Sequence, residues 1–419
     1  VISQQFIEEC FKTKKRLVGN DELVTFLQDH FPTTVHRINS GTRAYDWTIP
    51  KRWIVIKAQL RNTQGDVILD YENNNLHLMT YSAPFSGVVK REDLEDHLFY
   101  KENNELAIPW VHSYYSSNWG FCLSKQQYDS LVDDEYVVDI QTEFKDDSLN
   151  IVEMTIKGRT DKEVLLTTYT CHPYMASDNV SGICLLASLY DKLKNADLKY
   201  TYRFLFFPET IGSLALLANK IVIPKNVEYA LIATCVGVGE TINYKKTHVG
   251  NHSIDNVIED ILTSYRNVKV RDYWPTGGSD ERQFSSPKIR IPTGTVMRSP
   301  YGEYPEYHTS LDNLSLMSAK IIEEMTDLHY KIILEYEKYP KYVVSHDGGE
   351  PFLSKYNLYR SIGGTHNSYD HEKVRSWVLF LADGEHNIKD MARRSGYTEG
   401  EILDCINVLA EKKIIEVAE

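Results

Sequence analysis

The sequence predicts an α/β protein: a three-layer sandwich around a mostly parallel central sheet, with an inserted small β domain and a C-terminal winged helix-turn-helix. Three observations carry that expectation. From about residue 135 to 340, short β-branched runs alternate with long helical patterns, the order expected of a sheet covered by helices. Between Trp47 and Cys122 the runs shorten and turn signals separate them, as in a small antiparallel unit. Beyond His371, three helical patterns lead into the short strand pattern IIEV.

Taken in chain order, the first forty residues read as two helices broken near Gly19–Asn20, then the strand TVHRINSG. WIVIKAQL, DVILDY, LHLMTY and GVVK are the runs of the β unit, divided by NTQGD and ENNN. Aromatic residues crowd its end in YYSSNWGF, either as packing or as a wall facing a substrate. The α/β part offers the strands EYVVDIQTEF, LNIVEMTIKG, EVLLTTYT, TYRFLFFP, YALIATCV and IRIPTGTV. Its helices are NVSGICLLASLYDKL, TIGSLALLANK, SIDNVIEDILTSY and LMSAKIIEEMTDLHYKIILEYEK. In the last, Ile321, Met325, Leu328, Ile332 and Tyr336 recur at three- and four-residue spacing, one apolar face on a charged cylinder.

A chain of 419 residues exceeds what one core usually serves. The expected division is 1–46 with 125–345 as the α/β domain, 47–124 as the insertion, 346–370 as connector and 371–419 as winged helix. No run approaches the length of a membrane span, and VISQQFIEECFKTKKRL lacks the apolar centre of a signal peptide. Six scattered cysteines without CxxC spacing fit reduced thiols. Net charge is −13, which disfavours a phosphate backbone as partner. A cytoplasmic protein is the expectation.

Ligands of an open α/β sheet sit beyond the carboxyl ends of its strands. His172 follows EVLLTTYT, Asp178 comes six residues later, and Glu209 follows TYRFLFFP. Parallel strands end on one edge, so these three converge, and the loop carrying His308 after IRIPTGTVM can return it there. Two imidazoles and a carboxylate suit zinc with a position left for water. A carboxylate beside them that does not bind the metal can take the water's proton, and Glu209 is placed for it. Taken singly, each has an ordinary explanation: a turn histidine, a helix cap, a first-turn acid, a loop histidine. All four on one edge favour one site.

CHPYMASDNVSG resembles the His-x-Asp…Asp-Asn-x-Ser-Gly region of the co-catalytic zinc aminopeptidases of the bacterial leucyl aminopeptidase type. FPETIGS resembles their Glu-Glu-x-Gly-x-x-Gly-Ser stretch, GGSDERQFSSPKIRIP their Ser-Asp-x-x-x-Phe…Ile-Pro segment, and YHTSLDN their His-Thr-x-x-Asp motif. The four stand in the family's order over about residues 165–315. The N-terminal insertion, GTRAYDWTIP and the tail are similar to aminopeptidase-like proteins associated with polysaccharide biosynthesis. The resemblance implies a zinc-exopeptidase-like fold, His172 and His308 as metal ligands, Asp178 as the bridging carboxylate and Glu209 as general base.

Two departures bear on the metal count. The family's second Glu, a ligand, is Thr210 here, and its ligand Asp after YALIATCV is missing from ATCVGVG. One zinc on His172, Asp178 and His308 is therefore expected rather than two. Cys235 is a further candidate ligand or a buried strand thiol. Asp280 is either a partner to a ligating histidine or an acid shaping the GGSD turn. Tyr244, His248, His252 and Arg282 are expected in loops near the edge, within reach of a substrate.

The tail from His371 carries seven Lys and Arg against ten Asp and Glu. Its third helix, the one placed to read DNA, has four acids and no base before Lys412, so nucleic acid would be repelled. A protein partner or self-association through this domain is the expectation. The function implied is a zinc-dependent hydrolase of a peptide or related amide. The alternative is a catalytically reduced protein that binds a metal and a small ligand and recruits a partner through the tail.

Overall fold

The computed structural model describes residues 2–358 and 369–418; the rest of the connector expected over 346–370, residues 359–368, lies outside the described residues. Two compact units are present: one runs to Gly250 and takes in Tyr265–Tyr330, the other joins Asn251–Ser264 to the chain from Lys331 on.

The first unit opens with helices α1 (Gln4–Lys12) and α2 (Asp21–His30) and strand β1 (Thr34–Asn39). Strands β2 (Arg52–Asn62), β3 (Val67–Asp70), β4 (Phe85–Lys90) and β5 (Glu135–Lys145) then form an antiparallel sheet in the order β3-β2-β5-β4. Val88, Val67 and Ile56 face solvent while Leu60, Val138 and Ile140 are buried, the one-sided burial typical of such sheets. LHLMTY does not form the strand its pattern suggests. Asn74 instead caps a helical turn at Asn75–His77, accepting from the Leu76 amide at 3.0 Å, and only isolated bridges at Leu78 and Thr80 follow.

The large sheet combines β1 with β6 (Ser148–Ile156), β7 (Glu163–Tyr169), β8 (Thr201–Phe207), β9 (Val227–Ile232), β10 (Ile242–Lys245), β11 (Val268–Arg271) and β12 (Thr293–Met297). Their order is β1-β6-β8-β7-β9-β12-β10-β11. The central strands β8, β7, β9 and β12 run parallel, while β1, β6 and β10 each enter by an antiparallel pairing. β10 and β11 are short, polar and set toward one margin, so no apolar run marks them in the sequence.

Helices α3 (Ser181–Leu193) and α4 (Ile211–Ala218) follow β7 and β8. From Ser181 to Tyr190 every residue of α3 is buried, because a helix apolar on all sides has no solvent face. Each buried Leu or Ile there contributes about 1.5–3 kcal/mol. Gly182 lets the start of α3 lie on β9: a Cβ would stand 2.1 Å from the Ala233 carbonyl oxygen. The core beneath α4 gathers Leu165, Leu205, Phe207, Leu216, Ile232 and Phe284.

The second unit contains α5 (Ser253–Leu262) and the end of α6 (Ala319–Glu337). Its winged-helix part has β13 (Lys341–Val344), α7 (Tyr369–Leu381), β14 (Asp383–Asn387), α8 (Ile388–Ser395), α9 (Glu399–Glu411) and β15 (Ile415–Val417). Strand β13 pairs antiparallel with both β14 and β15. Val378, Met391, Ile402, Ile406 and Ile415 form the core. The Asn387 capping box opens α8, and Thr398 with Glu401 opens α9. Asn256 of α5 donates to Asp390 at 2.7 Å and Ser253 donates to the same carboxylate. Among the described residues no helix is long and apolar enough to cross a membrane.

Candidate metal centre

The carboxyl ends of β7, β8 and β9 meet at one edge of the large sheet. His172 lies three residues past the end of β7 and is 2% exposed. Asp178 lies in the turn Ala176–Val180, with φ −118° and ψ 72°. It was expected to open the helix, but α3 starts only at Ser181, because Asp178 has non-helical backbone.

That turn is held from a distance. Asp312 accepts from the Ser177 amide at 2.7 Å through one oxygen and from the Asp178 amide at 3.0 Å through the other. Tyr304 donates to the second oxygen at 3.0 Å. So the last residue but one of YHTSLDN positions the aspartate of SDNVSG.

His308 Nε2 stands 2.9 Å from Asp178 Oδ2, and His172 Nε2 stands 3.9 Å from the same oxygen. Ligand atoms of these three residues all lie within 4.8 Å of one another. The two oxygens of Asp178 differ. Oδ1 accepts from the Tyr169 phenol, which also lies 2.6 Å from the Thr234 hydroxyl. Apart from their 2.9 Å contact with each other, which lacks the angle of a hydrogen bond, Oδ2 and His308 Nε2 are buried without a hydrogen-bond partner. Buried polar atoms are ordinarily paired, so two orphans facing each other mark a place made for a further group. Two imidazoles and a carboxylate oxygen, all aimed at one point, fit a divalent cation and zinc in particular.

Burial alone would hinder ionisation of Asp178, but the two imidazoles outweigh it and bring its carboxyl to about 2. Burial brings the His172 imidazole down to about 3, so the ring is neutral and its Nε2 lone pair is open to a cation.

Glu209 stands at the end of β8, with its carboxylate 4.0 Å from His172 Nε2 and 24% of its side chain exposed. Burial, followed by the charge of Asp280, pushes its carboxyl up to about 8. Asp280 itself is buried; its Oδ1 accepts from the Thr210 amide at 2.8 Å and from the Ser213 hydroxyl at 2.6 Å. It therefore fastens the loop after Glu209 and touches neither imidazole by any hydrogen bond. The GGSDE turn is in turn pinned by a fully buried pair, Lys245 with Glu281 at 2.7 Å. Gly278, at φ +122°, has no room for a side chain between them.

Thr210 holds the position expected of a ligand Glu, and Cys235 lies in the ATCVGVG run that lacks the expected Asp. Both have left-handed backbone, φ 62° and 50°, as does His308 at 54°. Non-glycine residues held there are strained, and such strain gathers at functional sites. Cys235 packs with Met297 and Tyr304 and accepts from Thr234 at 3.4 Å; it stands outside the three-residue group. Tyr244 is not in a loop: it is fully buried inside β10. His252 caps α5, accepting from the Ile254 amide at 3.3 Å. His248 is half-buried near Tyr273, with rings 6.3 Å apart. Arg282 is exposed, with Nε 3.3 Å from the Ser279 carbonyl, and its charge acts on Glu209.

Trp110 belongs to the site although nothing in its surroundings in the sequence announced it. Its ring lies 4.3 Å from that of His172 and 4.9 Å from that of His308. Its amide donates to the His308 carbonyl at 2.8 Å and its indole donates to Thr80 at 2.8 Å. Tyr307 stacks on His308 at 3.9 Å. Of the aromatic residues in YYSSNWGF, Trp119 packs between His97 and Phe85, whereas Tyr114 is 76% exposed.

This architecture is that of the zinc aminopeptidases. A zinc aminopeptidase from Bacillus subtilis superposes with a TM-score of 0.58 over 79% of this chain and 93% of its own, at 15% identity, a likeness of fold alone. The chain belongs to the family described as Domain of unknown function (DUF4910), whose model matches residues 4–361. A winged helix-turn-helix model matches 341–417. A Clostridium acetobutylicum protein, provisionally named a polysaccharide biosynthesis protein with an aminopeptidase-like domain, is 40% identical over 393 residues, 93% of this chain and 90% of its own. A crystal structure of a provisionally named peptidase from Clostridium acetobutylicum superposes with a TM-score of 0.77 at 36% identity, covering 99% of this chain and 95% of that one.

Proposed function

We propose that this chain is a hydrolase of a peptide or related amide bond, with one zinc held by His172, Asp178 and His308 and with Glu209 as general base. One observation carries the reading: the unequal use of the two Asp178 oxygens. Oδ2 is orphaned and aimed at both imidazoles, whereas Oδ1 is taken by Tyr169. A carboxylate that bridges two cations needs both oxygens, so this arrangement supports a single ion. Thr210 in place of a Glu, and the run ATCVGVG without an Asp, agree with that count.

A zinc ion at this place supplies Lewis acidity to a carbonyl oxygen and to water. Glu209, partly exposed beside His172, takes the proton of the attacking water and passes it to the leaving nitrogen. Trp110 and Tyr307 flank the imidazoles, holding the rings and keeping water from that side. A requirement for a free amine is not part of the reading, so an acylated amino sugar or a small modified dipeptide fits as well as a peptide.

The missing carboxylates favour a second reading, a protein that binds a metal and a small ligand without turnover. Glu209 separates the two, because a binding site has no use for a base. Zinc per chain, measured on protein purified without added metal, should be about one and should vanish in His172→Ala. Glu209→Gln should retain the zinc and lose on the order of 10²–10⁴-fold in hydrolysis of a substrate found by amide screening. Unchanged turnover in Glu209→Gln removes the base, and absence of zinc even after it is supplied removes the centre. The acidic α9 favours a protein partner or a second copy as the target of the winged helix.

A further inference from the structure

A cavity of about 520 Å³ lies in the first unit beside the candidate metal centre, within the size range of small-molecule sites. Its lining includes Trp110, Cys171 and Pro173 but none of His172, Asp178, Glu209 or His308. It is thus a separate chamber that shares a wall with the site: Trp110 presents its ring to the imidazoles, and Cys171 and Pro173 are the chain neighbours of His172.

The chemistry of the lining is uneven. In a chain of net charge −13, three bases, Lys14, Lys15 and Arg16, face one acid, Glu72. Two of the bases are engaged. Lys15 donates to the carbonyls of Cys10 at 2.8 Å and Thr13 at 3.2 Å, and Lys14 stands 3.7 Å from Glu22. Arg16 is half-buried and, among the described residues, has neither a hydrogen bond nor an ion pair. The half-buried amide of Asn75 is likewise unbonded among them. A guanidinium held in a concave wall with its five donors open is suited to a carboxylate or phosphate. The half-buried Tyr71 and Tyr174 feel its charge and line the same wall, offering faces for a ring, while Trp53 and Tyr81 line it stacked on each other. Tyr81 and Tyr174 have left-handed backbone, φ 66° and 48°, a cost that is retained where a wall must keep its shape.

We infer that this chamber is a second binding site, for a small organic anion that carries a ring, with Arg16 gripping the anionic group and Tyr71 and Tyr174 covering the ring. The inference does not depend on the hydrolase reading, because the chamber holds no residue assigned to the metal or to the base.

Calorimetric titration of the whole, metal-stripped chain tests it, with glucose 6-phosphate, phenyl phosphate, glucuronate and inorganic phosphate as probes. Phosphate and carboxylate probes distinguish the anion, and sugar and phenyl probes distinguish the ring. At least one ring-bearing anion should saturate a single site about tenfold or more tightly than inorganic phosphate. Arg16→Met should weaken it by about tenfold or more, and His172→Ala should leave it unchanged. Tyr71→Leu, in case Arg16→Met fails to fold, should weaken the ring-bearing anions while leaving inorganic phosphate as it was. No saturable binding of any ring-bearing anion overturns the proposal. So does undiminished binding in Arg16→Met or Tyr71→Leu, and so does equal loss in His172→Ala, which would place the anion at the metal centre.

Discussion

Two buried carboxylates in the same sheet, Glu153 on β6 and Asp178 beyond β7, meet opposite treatment. Glu153 is paired at every turn: Arg203 donates to one oxygen at 2.7 Å and to the other at 3.0 Å, His36 stands 2.7 Å from the second, and Thr155 donates to the first at 3.0 Å. Asp178 has one oxygen bonded and one left bare before two imidazoles. A buried ion that is fully satisfied belongs to the fold alone. One that is left half satisfied has to be explained by what it receives. The difference teaches where to look for function: at unfinished pairing rather than at burial or charge.

The comparison breaks first under substitution. Arg203→Met leaves Glu153 buried without its main partner and should cost about 3–5 kcal/mol of stability. Asp178→Asn, in metal-free protein, removes a charge that the neighbouring imidazoles favour but that no ring of donors closes, and should cost clearly less than Arg203→Met. Urea melts of both metal-stripped variants decide the matter. If Asp178→Asn destabilises as much as Arg203→Met, Asp178 is a structural residue and the distinction fails.

Acid draws a second contrast, between Glu153 and Glu209. Burial works against the Glu153 carboxylate, yet the bonds from His36 and Arg203 outweigh it and hold the group at about 2, below the usual carboxylate range. A carboxylate depressed in the fold contributes stability above its ordinary value and loses it as the pH falls toward the folded one. Roughly 3 kcal/mol should therefore disappear between about pH 4.5 and pH 2. Glu209 has the reverse sign. Its carboxyl lies near 8 in the fold because of burial and Asp280, so in metal-free protein it detracts from stability as the pH rises from the ordinary carboxylate value through 8. Stability measured in urea from pH 2 to 9 should show both limbs, and Glu209→Gln should flatten only the alkaline one. An alkaline limb unchanged in that variant would show that other groups cause it.

Much of this was legible in the sequence, for physical reasons. Parallel strands announce themselves as apolar β-branched runs, and whatever follows them must share an edge; His172 and Glu209 were found in that way. Position along the edge was less legible. Asp178 reads as a helix opener because Asp caps helices, but non-helical backbone at Asp178 delays the helix to Ser181. Asp312, which braces that turn, and Tyr169, which occupies Oδ1, act through single hydrogen bonds that leave no periodic mark. Tyr244 reads as a loop residue because the four-residue strand INYK is too short and polar to register. The β unit posed the hardest case. Its stretch YYSSNWGF reads more readily as packing than as a wall facing a substrate, and Trp119 does pack between His97 and Phe85; Trp110, whose ring meets the imidazoles, lies outside that stretch.

Trp110 gives the smallest effect and the finest test of the comparison. Glu153 has its pairing from groups on its own sheet, whereas the centre depends on a side chain from the inserted β unit to hold two rings in place. The indole contacts both imidazoles, and its own edge is tied to Thr80. Trp110 is neither one of the proposed ligands nor the proposed base, so the part proposed for it is to position them. Trp110→Leu should weaken zinc binding by about 10–100-fold, as loss of groups that orient ligands does, while the urea midpoint of the metal-free protein moves less than in Arg203→Met. Cobalt titration, read by its visible absorption, follows the centre without needing any substrate. An unchanged affinity with an unchanged cobalt spectrum would mean that Asp178, His172 and His308 hold their geometry unaided. Then the β unit belongs wholly to the chamber beside them, and the centre is finished by its own sheet edge after all.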